Sequence, residues 1–95
     1  RAFTAALAHE WGLVNAVLPV TDLMTEALAT AGAIARNAPI AVRQAKQSVH
    51  RGGQMSLRDG LAFEIEAYNR MVSTADRHEG VRAFNEKRPP RFEGR

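Results

Sequence analysis

The 95-residue chain contains no cysteine. That removes a disulfide framework, a thiolate metal site and a cysteine nucleophile, and gives no support to an oxidising compartment. No apolar run comes near the roughly 20 residues of a membrane span, and no charged-then-apolar leader precedes the first helix. His9 and Glu10 begin like an HExxH zinc helix, but Leu13 stands where the second histidine would be. A GxSxG elbow and a glycine-rich phosphate loop are also missing, and the histidines have no spacing that implies cooperation. No catalytic residue and no metal ligand can be assigned from pattern. The expectation is a soluble, cytoplasmic chain without a metal site, a prosthetic group or a membrane partner.

What is present is ordinary for a globular chain: 45% hydrophobic and 24% charged residues. Thirteen basic against ten acidic residues give a net charge of +3. The basic residues cluster only loosely, at Lys87, Arg88, Arg91 and Arg95 with Phe92 among them, and Glu86 and Glu93 oppose them, so no nucleic-acid partner is expected. A chain this short typically buries about 60–65% of its unfolded surface and is marginal alone. It starts at Arg1 without an initiator methionine, and Arg1-Ala2-Phe3 reads as the interior of a longer chain.

Taken in order, Thr4 predicts the cap of a short helix over Ala5–Trp11, with Gly12 in the left-handed position that closes it. Residues 13–18, LVNAVL, predict a short strand or extended segment stopped by Pro19. Thr21 or Asp22 is the predicted cap of a second helix to about Arg36. Its apolar positions, Met24, Ala27, Leu28, Ala31, Ile34 and Ala35, are mostly alanine and suit close antiparallel packing. Pro39 opens a third helix to about His50, with Val42, Ala45 and Val49 on one side and Arg43, Gln44, Lys46, Gln47 and His50 on the wet side; Gly52-Gly53 ends it. Ser56, with Asp59 three residues on, starts a fourth helix to about Val72. Leu57, Leu61, Ile65, Tyr68 and Val72 form one stripe and Phe63, Ala67 and Met71 a second, an arc wide enough to need contacts on two sides. Glu64 and Glu66 point about 200° apart and cannot act on one atom; an ion pair is the expected role of Glu64.

The last stretch, STADRHEGVRAFNEKRPPRFEGR, carries the densest signals. Thr74 predicts an N-cap and Asp76 supplies first-turn negative charge. Gly80, Phe84 and Lys87 follow at spacings of four and three and are read as one helix face, Val81 extending its apolar surface. Gly80 costs a helix about 1 kcal/mol relative to alanine, which a group packed on its backbone would offset. Pro89-Pro90 is the predicted stop, leaving Phe92 on an extended tail.

This run, with GLVNAVLP at 12–19, NAPIAVRQAK at 37–46 and GLAFE at 60–64, resembles the C-terminal region of the crotonase family, the enoyl-CoA hydratases and isomerases. The family usually has an acidic residue just before the Asp; here it is Ala75. The resemblance implies a mostly α chain: the C-terminal helical region of a crotonase-like (ClpP/crotonase) α/β spiral fold, with the spiral core absent. Residues 1–18 would be the last helix and strand of that core, and residues 19–95 the helical region for coenzyme A contact and oligomerisation. It implies that Phe84 and Lys87 contact the adenine and phosphate end of a coenzyme A thioester substrate, commonly across a subunit boundary. It also implies a parent enzyme of fatty acid metabolism, trimeric or a dimer of trimers, whose acid/base carboxylates and oxyanion hole lie upstream, so that the isolated chain would be inert. The alternative is a free-standing helical interaction module without catalysis.

Overall fold

Thr4 is extended, and its hydroxyl accepts from the Leu7 N–H at 3.2 Å, which starts helix α1, Ala5–Glu10. The helix closes as the sequence predicts. Gly12 adopts φ +72° and donates to the His9 carbonyl, while Leu13 donates to that of Ala8. This pairing satisfies the orphan carbonyls of the last turn and needs a residue free of Cβ strain at the left-handed position. The computed structural model describes residues 2–95. It contains four further helices: α2 Val20–Ala35, α3 Pro39–Gly52, α4 Leu57–Val72 and α5 Ala75–Asn85. The chain divides into two compact units, one ending at Ala31 and the other running Gly32–Arg95.

In the first unit, Phe3 and Trp11 rings meet at 5.3 Å between centroids across α1. Residues 13–18, expected as a short strand or an extended segment, form no strand; they run as bends and irregular chain into Pro19, and among the described residues the structure has no strand. A strand is defined by its ladder, and β-branched residues with a proline stop cannot make one without a neighbouring edge. The expected cap of α2 also shifts. Val20 is already helical, the Pro19 carbonyl accepts from Asp22 and Leu23, and the Thr21 hydroxyl is turned to the Asp22 carboxylate. Proline fills the position before the helix without needing a donor.

In the second unit, α2 ends on Asn37, whose side-chain amide donates to the Ala33 carbonyl at 2.8 Å. α3 and α4 form an antiparallel hairpin whose closest approach is backbone on backbone. A Cβ built on Gly60 would stand 3.3 Å from the Gly52 carbonyl oxygen. Such an approach favours glycine at position 60, whereas a Cβ on Gly52 would stand 4.0 Å from the Gly60 Cα, an ordinary contact. It also decides which face of α3 is covered. Gln44, Gln47, Ser48 and Gly52 are half-buried, as is Val42, whereas Ala45 is exposed and Val49 is 79% exposed, so the apolar side expected from Val42, Ala45 and Val49 is only partly covered. Small and amide-bearing residues let the helices close where a valine stripe would hold them apart. On α4 the stripe of Phe63, Ala67 and Met71 is covered, with the Arg51 guanidinium 5.8 Å from the Phe63 ring centre. The other stripe, Leu57, Leu61, Ile65 and Tyr68, is exposed. Glu66 rather than Glu64 pairs on this helix, reaching Arg70 at 4.0 Å.

The buried apolar residues are Ala8, Ala67 and Ala83; no large side chain is fully buried among the described residues. Burial of a large aliphatic side chain contributes about 1.5–3 kcal/mol. These helices therefore expose the groups that would stabilise them most.

Candidate functional site

The site is built around α5. Its N-cap is the predicted one: the Thr74 hydroxyl accepts from the Arg77 N–H at 3.2 Å and donates to the Met71 carbonyl at 2.7 Å, welding α5 to the end of α4. Asp76, placed by the cap in the first turn, does more than complement the dipole. It is 2% exposed, and its two carboxylate oxygens accept from the Glu93 and Gly94 N–H groups, each at 2.7 Å. Its own N–H donates to the Arg95 carbonyl at 2.9 Å. A carboxylate on paired backbone donors makes charge-assisted bonds, roughly twice as strong as neutral ones.

One turn later Glu79 repeats the device. Its carboxylate takes the Arg88 guanidinium as a fork, Nη1 to Oε1 at 2.6 Å and Nη2 to Oε2 at 3.1 Å, and accepts from the Arg91 N–H at 2.9 Å. The Arg88 side-chain bond, then the Arg91 N–H, lower the Glu79 carboxyl to about 2 against an ordinary 4.5. The same Glu79 fork, then Glu86, raise Arg88 above its already high value. The extended tail that carries Phe92 is thus strapped back along α5. Phe92, half-buried, lies over Gly80, where a Cβ would meet its ring at 3.7 Å. That ring is the packed group that the cost of a helical glycine anticipated. Gly94, at φ +78°, brings the tail against Pro39 at the start of α3.

The end of α5 departs from the sequence reading. The helix stops at Asn85, before the prolines, in a hydrogen-bonded turn: Arg88 donates to the Ala83 carbonyl and Lys87 to that of Phe84. The left-handed position of that turn is filled by Lys87, at φ 54°. This is the placement Gly12 has after α1, here with a side chain that strains it. Lys87 therefore lies beyond the helix, and the spacing that put it on one face with Gly80 and Phe84 does not extend to it. Phe84 is on α5 and is 84% exposed. Lys87 follows it on the turn, also exposed.

Between α5 and the strap is an open hollow of about 720 Å³, lined by Asp76, Glu79, Arg82, Arg88, Arg91 and others; neither Phe84 nor Lys87 lines it. Among the described residues no cluster of three His, Asp or Glu side chains could hold a metal ion, and no helix is long and apolar enough to cross a membrane. The functional geometry that sequence reasoning missed is the clasp. Its one sequence signal is the pair Asp76 and Glu79, one helical turn apart, ahead of a glycine- and proline-containing tail.

The class this defines is a helical region whose apolar faces are open and whose last helix ends in an exposed aromatic and a strained lysine. Comparison with known proteins gives the family. The model of the enoyl-CoA hydratase/isomerase family matches residues 1–95, and the chain belongs to that family, the crotonases. It is 47% identical to YngF of Bacillus subtilis, which carries the family's name, over 99% of this chain and 36% of that protein. It is 39% identical to the 2,3-dehydroadipyl-CoA hydratase of Escherichia coli, over 100% of this chain and 37% of that enzyme. The crystal structure of an enoyl-CoA hydratase from Bacillus anthracis superposes with a TM-score of 0.93 at 46% identity, over 96% of this chain and 35% of that one. The chain thus spans little more than a third of the length of the relatives it matches.

Proposed function

We propose that this chain is the coenzyme A-contacting and subunit-contacting helical region of an enoyl-CoA hydratase or isomerase acting on acyl-CoA thioesters of fatty acid metabolism. Phe84 packs on the adenine, and the Lys87 ammonium meets a phosphate as a point charge. The acid/base carboxylates and the oxyanion donors belong to parts of the enzyme outside these residues. In the hydratase case a carboxylate there acts as base and then acid while water adds across a 2-enoyl thioester.

The observation that carries the reading is the 84% exposure of Phe84 beside a lysine held in a left-handed turn. A turn selected for stability alone would carry glycine at its left-handed position, where this chain has Lys87 next to the Phe84 turn. Oligomerisation, as a trimer or a dimer of trimers, is supported by the exposed stripe of Leu57, Leu61, Ile65 and Tyr68. The alternative, a free-standing interaction module, is disfavoured by the same burial pattern, since such a module needs a core of its own. The test is Lys87→Ala in the full-length enzyme. Loss of a phosphate contact raises the KM for the acyl-CoA thioester by about tenfold, with a larger effect at low salt. An unchanged KM overturns the reading.

A further inference from the structure

The Lys87 turn has neighbours whose arrangement is not explained by holding the tail alone. In a left-handed conformation a lysine is strained by Cβ crowding, and such strain persists only where the surroundings over-determine it. Here both flanking residues are fixed. Arg88 on one side is held by its N–H to the Ala83 carbonyl at 3.0 Å and by its guanidinium fork on Glu79. Glu86 on the other donates its N–H to the Arg82 carbonyl at 2.9 Å and accepts Arg88 Nε at 2.5 Å. Residue 87 is pinned between two anchored neighbours.

The same bonds decide what is left for the ammonium. A free lysine at a helix C-terminus is attracted to the unpaired carbonyls of the last turn and to any nearby carboxylate. The carbonyls of Arg82, Ala83 and Phe84 are taken by the N–H groups of Glu86, Arg88 and Lys87. The carboxylates of Glu79 and Glu86 are taken by Arg88, and Lys87 pairs with no acid among the described residues.

We propose that Glu79 and Arg88 are positioning residues for the Phe84–Lys87 contact. Their fork holds residue 87 in its turn and withdraws the Glu79 carboxylate from the Lys87 ammonium, while Arg88 Nε holds that of Glu86, leaving the ammonium free for a ligand phosphate. This rests on the reading that Phe84 and Lys87 meet coenzyme A, and adds to it how the chain keeps the lysine available.

The proposal makes a sign prediction that simple charge counting reverses. Glu79→Gln removes a negative charge near an anion site, so bulk electrostatics would tighten anion binding. If the fork positions Lys87, binding weakens instead. Arg88→Lys keeps the charge but loses the planar fork, and it also weakens binding.

The experiment is titration of the full-length protein with coenzyme A, and with pantetheine as the probe lacking the nucleotide. Lys87→Ala loses about tenfold for coenzyme A, and Glu79→Gln and Arg88→Lys about three- to tenfold, all with pantetheine unchanged. The double variant Glu79→Gln/Lys87→Ala loses no more than Lys87→Ala alone, because both act through one ammonium. A merely structural role for the fork would lower the melting temperature and affect both probes together. Where Glu79→Gln fails to fold, Arg88→Lys carries the same test. Coenzyme A affinity kept in both fork variants, or losses that add in the double variant, overturns the positioning role while the Phe84–Lys87 contact stands. Unchanged affinity in Lys87→Ala overturns the contact itself, and the positioning role with it.

Discussion

Asp76 is the position at which exchanging a single heavy atom separates the strap from the helix it covers. In Asp76→Asn the side chain keeps its volume and one acceptor oxygen, but an NH₂ group replaces the other and faces a backbone N–H. Two bonds of 2.7 Å, from Glu93 and Gly94, become one neutral bond and one donor–donor contact. Hydrogen bonds to a charged partner contribute about 1.5–3 kcal/mol each, and an opened strap recovers part of this by solvation. The net loss is about 2 kcal/mol, equivalent to a strap that opens about 30-fold more often. Hydrogen exchange in the full-length protein reads this directly, because local opening is reported amide by amide. The Glu93 and Gly94 amides lose about 30-fold of protection, while amides in the middle of α3 and α4 are unchanged. Unchanged protection at Glu93 and Gly94 refutes the clasp. A uniform fall across α3 and α4 refutes the idea that the strap opens separately.

Gly80→Ala tests how tightly the strap sits on α5. A Cβ there lies 3.7 Å from the Phe92 ring, an ordinary contact, so the substitution gains helix propensity and stabilises by about 0.5–1 kcal/mol, read as a higher denaturation midpoint. A lower midpoint would mean that the Phe92 ring leaves no room for a methyl group on α5. The Glu79 carboxyl gives the pH dependence. Its value is lowered to about 2 by Arg88 and the Arg91 N–H, so its contribution is complete above the ordinary carboxylate value and is lost as pH falls from about 4.5 toward 2. The difference in strap protection between wild type and Glu79→Gln is therefore flat from pH 7 to about 5 and disappears toward pH 2. A difference that grows on acidification contradicts the assignment.

The parts of this structure legible in the sequence are those whose physics is local. Thr4, Ser56 and Thr74 cap because a hydroxyl one turn from an orphan N–H needs nothing else. Gly12 closes α1 for an equally local reason. What could not be read depends on partners far along the chain. Asp76 and Glu79 look like first-turn acids, but they accept from N–H groups 12 to 18 residues later. The covered face of α3 depends on Gly60, in the next helix, rather than on its own apolar periodicity. The turn at Lys87 was hidden because the residue expected at a left-handed closure is glycine, and the proline pair downstream offered a plausible but later stop.

The same contrast explains which part of the site is built within this chain and which is not. Around α5, order comes from polar groups that satisfy one another: two carboxylates, one guanidinium and the strap's backbone N–H groups. Such bonds are directional, so they hold the turn at Lys87 whatever covers the neighbouring helices. The apolar groups behave oppositely. Leu57, Leu61, Ile65 and Tyr68 are exposed here, and burial energy scales with the area a partner removes from water. Alanine substitutions on that stripe are then weak in this chain by itself and strong once a partner surface covers it. Substitutions in the clasp act the same way in both. A clasp whose geometry is set by directional bonds keeps that geometry whether or not a partner covers the apolar stripe.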